Sequence, residues 1–191
     1  MKTTIKILLV LLVTLGISCK ENSNEQVASD TDNPASTSVT TEKQGQAFLK
    51  NDEATPNVLD IAIGSKDHTT LVAAVQAAEL ENVLVNNGPL MVFAPTNDAF
   101  DALPEGTVEN LLKPENKGDL ANILKYHVTP GNYNKEFLKK FKTLGQANNQ
   151  YVTVEVKGDD VYIGGAKIVA SIKAGNGIVH VVDKVILPPS N

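Results

Sequence analysis

The apolar positions of this chain change period along its length, and the change divides its central and C-terminal parts into a helical half and a stranded half. Residues 57–63 put Val58, Leu59, Ala62 and Ile63 on one side of a short helix. Asp67 is placed to cap a longer helix that carries Leu71, Val72, Val75 and Ala78 and is stopped by Asn86-Asn87-Gly88-Pro89. Residues 90–94 read as a short apolar strand ended by Pro95. Thr96 or Asn97 then caps a brief helix with Asp98 and Asp101 near its positive end, and Pro104 closes it. Thr107 starts a helix with Val108, Leu111 and Leu112 that Pro114 breaks. Leu120, Ile123, Leu124 and His127 share the next helical face, which runs into a strand over 126–128 ended by Pro130-Gly131.

Beyond residue 150 the period becomes two. Val152, Val154 and Val156 alternate with Tyr151, Thr153 and Glu155, a turn falls at 157–160, and 161–163 returns. Strands over 168–172 and 179–182 flank a turn containing Asn176-Gly177, a strong hairpin signal. Gly164-Gly165 and the glycines at 175 and 177 read as hairpin turns rather than phosphate loops, because no helix start or G-K-[ST] follows them. Helices first and strands last imply an α+β domain, an antiparallel or mixed sheet packed with several short helices.

The N-terminus has a different character. Residues 1–18 carry Lys2 and Lys6, then an apolar run over 7–13 that continues through Leu15 and Ile17, which is the architecture of a signal peptide. The run is shorter than the roughly 20 apolar residues a membrane-spanning helix needs. Cys19, the single cysteine, follows directly and is the expected site of lipid attachment after cleavage. From there to residue 55 the chain is rich in Ser, Thr, Asn, Asp, Glu and Gln and cannot bury enough surface to offset its ordering entropy. The expected organisation is a signal peptide (1–18), a lipidated and polar tether (19–55) and a folded domain (56–191).

Charge removes one class of partner. Against 22 acids stand 17 basic residues, all lysine, for a net charge of −5, which loss of Lys2 and Lys6 with the signal peptide takes to −7. Without arginine there is no bidentate fork for phosphate or guanine, and an acidic chain has no electrostatic footprint for nucleic acid.

Four blocks in order carry a family resemblance: NVLDIAIGSKDHTTLVAAVQAAEL (57–80), LMVFAPTNDAFDALP (90–104), ILKYHVTPG (123–131) and GIVHVVDKVILPP (177–189). Together they resemble the fasciclin (FAS1, or beta-Ig-H3) domain family, in a single copy that covers essentially the whole folded part. The resemblance implies a FAS1-type fold and an adhesion or interaction role. It also makes Tyr126-His127 the family's YH motif, which in some animal members is linked to integrin-dependent adhesion.

The residues themselves favour a structural part for that motif. A histidine on the face of Leu120, Ile123 and Leu124 is most often a core residue with its ring nitrogens satisfied, and Asn97 or Asp98 is a candidate partner for it. His68, His127 and His180 show no metal-ligand spacing, and no serine lies in a G-x-S-x-G elbow. No cofactor and no enzymatic activity are expected. The expected function is non-covalent adhesion or protein interaction at the bacterial envelope by an exported lipoprotein, at the outer membrane on its surface or periplasmic face. Its partner would be a protein, a matrix or cell-surface component, or a second copy engaged through strand edges, with the membrane touched only through the lipid. The alternative is a periplasm-facing lipoprotein that binds a small apolar ligand between helices and sheet.

Overall fold

The computed structural model describes residues 55–86 and 88–189. The signal peptide, Cys19 and the tether up to residue 54 lie outside them.

Seven strands form one mixed sheet in the order β2-β1-β7-β6-β5-β4-β3. They are β1 (Leu90–Pro95), β2 (Val128–Pro130), β3 (Thr143–Gly145), β4 (Tyr151–Lys157), β5 (Asp160–Ile163), β6 (Ala166–Ala174) and β7 (Gly177–Val182). All pairings are antiparallel except β1 with β7, which run parallel over six residue pairs. That parallel pair explains why 90–94 shows no alternation: β1 is buried on both faces. Met91 and Phe93 enter one core with Leu138, Val152, Ile163, Ile168 and Ile186, while Leu90, Val92 and Ala94 enter a second with the helices. The strands meet so closely at Gly177 that any Cβ there would overlap the Leu90 carbonyl.

The second core is roofed by α1 (Val58–Ile63), α2 (Thr69–Ala77), α3 (Glu81–Asn86) and α6 (Lys117–Tyr126). α1 begins in a reciprocal cap, in which the Asn57 side chain accepts from the Leu59 and Asp60 N–H groups and the Asp60 carboxylate accepts from the Asn57 N–H. Its Val58, Leu59 and Ala62 are buried, but Ile63 is 53% exposed, so the fourth residue of the expected face is not part of it. Short α4 (Asn97–Asp101), α5 (Thr107–Leu111) and α7 (Lys135–Leu138) fill the connections.

Several expectations are corrected. Asp67 does not cap a helix: Ser65 caps a 3-10 turn over Lys66–His68, and α2 follows it. The long helix divides because Glu79 turns left-handed (φ 55°) and the Leu80 N–H closes back on the Val75 carbonyl, which lets α3 lay Leu84 in the core. Asp98 sits in the first turn of α4, whereas Asp101 is its last residue, away from the positive end. Tyr126 ends α6 rather than starting a strand. Val156 is 44% exposed, so alternation in β4 buries only Val152 and Val154. α7 and β3 are too short to show a period in sequence.

The two end strands close on each other. The Ala147 N–H donates to the Val128 carbonyl at 2.7 Å, and the Thr129 hydroxyl donates to Gln146 Oε1 at 3.0 Å in a buried contact. The sheet is therefore nearly a barrel, and the edges of β2 and β3 cover each other.

Candidate functional site

His127 is fastened at both ring nitrogens. It is the residue after α6 and is buried, with Nδ1 2.9 Å from the Ile123 carbonyl and Nε2 accepting the Ile186 N–H at 2.9 Å. These partners require the neutral tautomer protonated at Nδ1. Burial pulls its pKa down to about 4, only partly offset by the hydrogen bond to Ile123. The bond to Ile186 ties α6 to the C-terminal segment across 59 residues. Neither Asn97 nor Asp98 is its partner, because the side chain meets the backbone on both sides.

Tyr126 is equally enclosed. Its ring lies in the core on the other sheet face and its hydroxyl donates to the Tyr151 carbonyl at 3.0 Å. Burial raises its pKa. Asn97 binds α4 to the approach of α2: Oδ1 accepts from the Thr70 N–H (3.1 Å) and the Thr69 hydroxyl (3.2 Å), and Nδ2 donates to the Lys66 carbonyl (2.9 Å). Asp98 next to it is exposed. The four residues therefore do not converge on one site.

The other two histidines are also buried in the fold. His180 Nε2 donates to the Tyr133 carbonyl at 2.9 Å, so its Nδ1 accepts from the Ser171 hydroxyl at 2.7 Å, and burial lowers its pKa. His68 Nδ1 meets the Ser65 hydroxyl at 2.8 Å, while its buried Nε2 lies by the Ala94 carbonyl without a hydrogen bond of good geometry. Its pKa is lowered mainly by burial. Among the described residues no group of three or more His, Cys, Asp or Glu is arranged to hold a metal ion.

Two features of the described residues bear on the expected modes of binding. Between α1, α2, α3 and the β1–β7 pair lies an apolar cavity of about 50 Å³, lined by residues such as Leu59, Val75, Leu84, Val92 and Val179. Sites for drug-sized ligands hold roughly 300–1,000 Å³, so this one is too small for such a ligand without separation of the helices. The second feature is the outer edge of β6. β5 meets β6 only at Tyr162 opposite Lys167 and Ile163 opposite Ala166, while β7 pairs with it out to Ala174. After an irregularity between Ile168 and Ala170, no described strand pairs with the other edge of β6. Residues 169–173 are all exposed there, Val169 at 55% and Ile172 at 41%. Sequence reasoning missed this edge because 168–172 reads as an ordinary strand; the brevity of β5 was the available signal.

Comparison with known proteins agrees with the sequence blocks. A family model described as "Fasciclin domain" matches residues 66–188. Protein sll1483 of Synechocystis sp. is 44% identical over 151 residues, 78% of this chain and 83% of that protein. Transforming growth factor-beta-induced protein ig-h3 of Sus scrofa is 36% identical over 153 residues, 78% of this chain but 22% of that much longer protein. Immunogenic protein MPB70 of Mycobacterium bovis is 33% identical over 135 residues, 68% of this chain and 67% of that protein. A solved FAS1 domain pair from the insect cell adhesion molecule fasciclin I aligns over 67% of this chain and 43% of that one, with 20% identity and a TM-score of 0.42. With the family model spanning most of the chain and relatives above 30% identity along most of their own length, the chain belongs to the fasciclin domain family.

Proposed function

We propose that this chain is an exported interaction module that binds without covalent chemistry, contributing to adhesion at the cell envelope and held there by lipid on Cys19. Membership of the fasciclin family supports the interaction role. The arrangement of the candidate residues supports it as well: His127, Tyr126 and Asn97 spend their polar atoms on backbone and neighbouring groups that hold the fold.

The observation that carries the reading is the edge of β6 over 169–173, with which no described strand pairs. Backbone N–H and C=O groups that no described residue pairs with, flanked by exposed Val169 and Ile172, offer a template for strand addition, and a second copy of the same edge meets it without placing like charges opposite each other, since Lys173 is the only charge in 169–173. The adhesive contact is therefore read as antiparallel β6-to-β6 pairing. A closed β2–β3 seam leaves those two end strands less suited to it.

The test uses beads coated with the mature protein. Wild-type beads should cluster and Ile172→Lys beads should not, with unchanged circular dichroism; equal clustering by both sinks the β6 contact. Anchoring is tested separately by Cys19→Ala, which should move the protein from the membrane fraction to the soluble exported fraction. Continued membrane association would remove the lipid from the reading.

A further inference from the structure

With none of the β6 residues in its lining, the segment between β2 and β3 builds an aromatic shelf. Tyr133, Phe137 and Phe141 recur at a spacing of four residues and gather two of the five phenylalanines and one of the four tyrosines of the chain. The Tyr133 and Phe137 rings stack with centroids 5.3 Å apart and planes at 20°. Phe141 lies 5.2 Å from Tyr133 and 5.5 Å from Phe137, edge-on to the latter. Phe137 is 41% exposed although its neighbour Leu138 is fully buried. Tyr133 and Phe141 pack against the core, so Phe137 is the ring of the three left toward solvent.

The shelf is fixed from beneath. Buried His180 holds the Tyr133 carbonyl at 2.9 Å and itself stacks on Phe93 in the core. Gly131, at φ 130°, lets the Tyr133 ring lie against the backbone, where a Cβ would stand 2.8 Å from the ring. Beside the rings opens a concavity of about 500 Å³ lined by Asn132, Tyr133, Asn134, Glu136, Phe137 and Lys140. That volume falls in the range of small-ligand sites.

The polar groups around it are mixed and largely unspent. Asn134 Oδ1 caps α7 through the Phe137 N–H, which leaves its amide NH₂ free to donate. Asn132 and the Tyr133 hydroxyl make no hydrogen bond within the described residues. Local charge is balanced: Lys139 pairs with Glu136 at 2.9 Å and Lys135 with Asp160 at 3.7 Å. Lys140 lies over the Phe137 ring, 4.8 Å from its centroid, a weak contact at an exposed ring and an easily displaced one. A cationic ligand would be repelled by that ammonium, and a polyanion would find Lys135 and Lys139 already paired.

A neutral ring with an apolar C–H face and a rim of hydroxyls satisfies every part of this arrangement. Its C–H groups take the place over Phe137 that the weakly held Lys140 ammonium occupies, and its hydroxyls exchange hydrogen bonds with the displaced Lys140 and with Asn132, Asn134 and Glu136. We infer that the concavity beside Tyr133 and Phe137 is a binding site for a neutral saccharide unit of an envelope or matrix glycan. The inference rests on the binding-module reading but not on the β6 contact.

Ligand-observed saturation-transfer NMR of the mature protein tests it with methyl glycosides of glucose, mannose and galactose and with N-acetylglucosamine. At least one should receive saturation, with Phe137→Ala and Asn132→Ala each weakening binding, the former by roughly tenfold. Asn132→Ala removes an exposed side chain without partners, so its loss of signal cannot come from unfolding. Ile172→Lys should leave the saccharide signal unchanged while abolishing bead clustering, which separates the two contacts. No saturation of any of the four sugars, or saturation that both shelf variants leave intact, overturns the site; so does binding of a proline-rich peptide at the shelf in place of the sugars.

Discussion

Replacing His127 by alanine offers a test of the buried histidine because its cost should depend on pH in a way a merely steric defect would not. The substitution removes the bond to the Ile123 carbonyl and leaves the Ile186 N–H buried without an acceptor, a loss of about 1 to 3 kcal/mol. The space left by the imidazole adds a further cost of roughly 1 to 2 kcal/mol. Near neutral pH the total is therefore about 4 kcal/mol, a large part of the stability of a domain this size. The wild type, however, carries a titrating group whose folded pKa is about 4 against an ordinary 6.5. Between those values the unfolded chain holds a proton that the folded chain refuses, so stability is full above about 6.5 and is lost as pH falls. By about pH 4 the loss comes to about 3 kcal/mol, and the alanine variant does not share it. The lowered pKa values of His68 and His180 act on both proteins alike and cancel in the comparison. Urea unfolding of both proteins at about pH 7.5 and about pH 4 should show the gap between them shrinking from about 4 to about 1 kcal/mol. A gap that stays constant to within about 1 kcal/mol would refute the neutral, doubly bonded histidine.

Other substitutions test the remaining parts of the architecture. Asn97→Ala should cost about 1 to 2 kcal/mol by freeing the approach to α2, read as a lower denaturant midpoint with an unchanged slope; no shift would mean that solvent replaces its three bonds. Tyr126→Phe keeps the ring in the core and strips one bond from the Tyr151 carbonyl, so a loss of about 1 kcal/mol in the same assay is expected, and a loss several times larger would point to packing that the hydroxyl controls. Gly177→Ala puts a methyl group into the Leu90 carbonyl across the parallel pair and should cost about 3 kcal/mol or more; a variant with wild-type melting behaviour would contradict the close approach of β1 and β7.

Local chemistry made much of the fold legible in the sequence. Periodicity, proline breaks and capping residues act within a few positions, so α1, β1, α4, α5 and the β4–β5 and β6–β7 hairpins can be read directly. The four ordered blocks placed the chain in its family for the same reason, since each is a contiguous run. Contacts across long stretches of chain were not legible. The parallel β1–β7 pair joins residues almost ninety positions apart, and it alone explains why β1 is apolar on both faces. The partner of His127 is a backbone N–H, which no side-chain pattern encodes, and the sequence reading therefore turned to Asn97 and Asp98. The helix divides at Glu79, a left-handed residue that is neither glycine nor proline, so no breaker marks the division in sequence. Among the described residues the edge of β6 is left without a strand because β5 stops early, and the aromatic shelf is open because His180 and Gly131 hold Tyr133 from below. Sequence by itself determined the helix and strand periods, the acidic lysine-only charge and the family, because these depend on residues near one another in the chain. Tertiary structure decided which edges are closed, which polar atoms are spent and which rings face solvent, because each of those depends on what distant segments bring into contact.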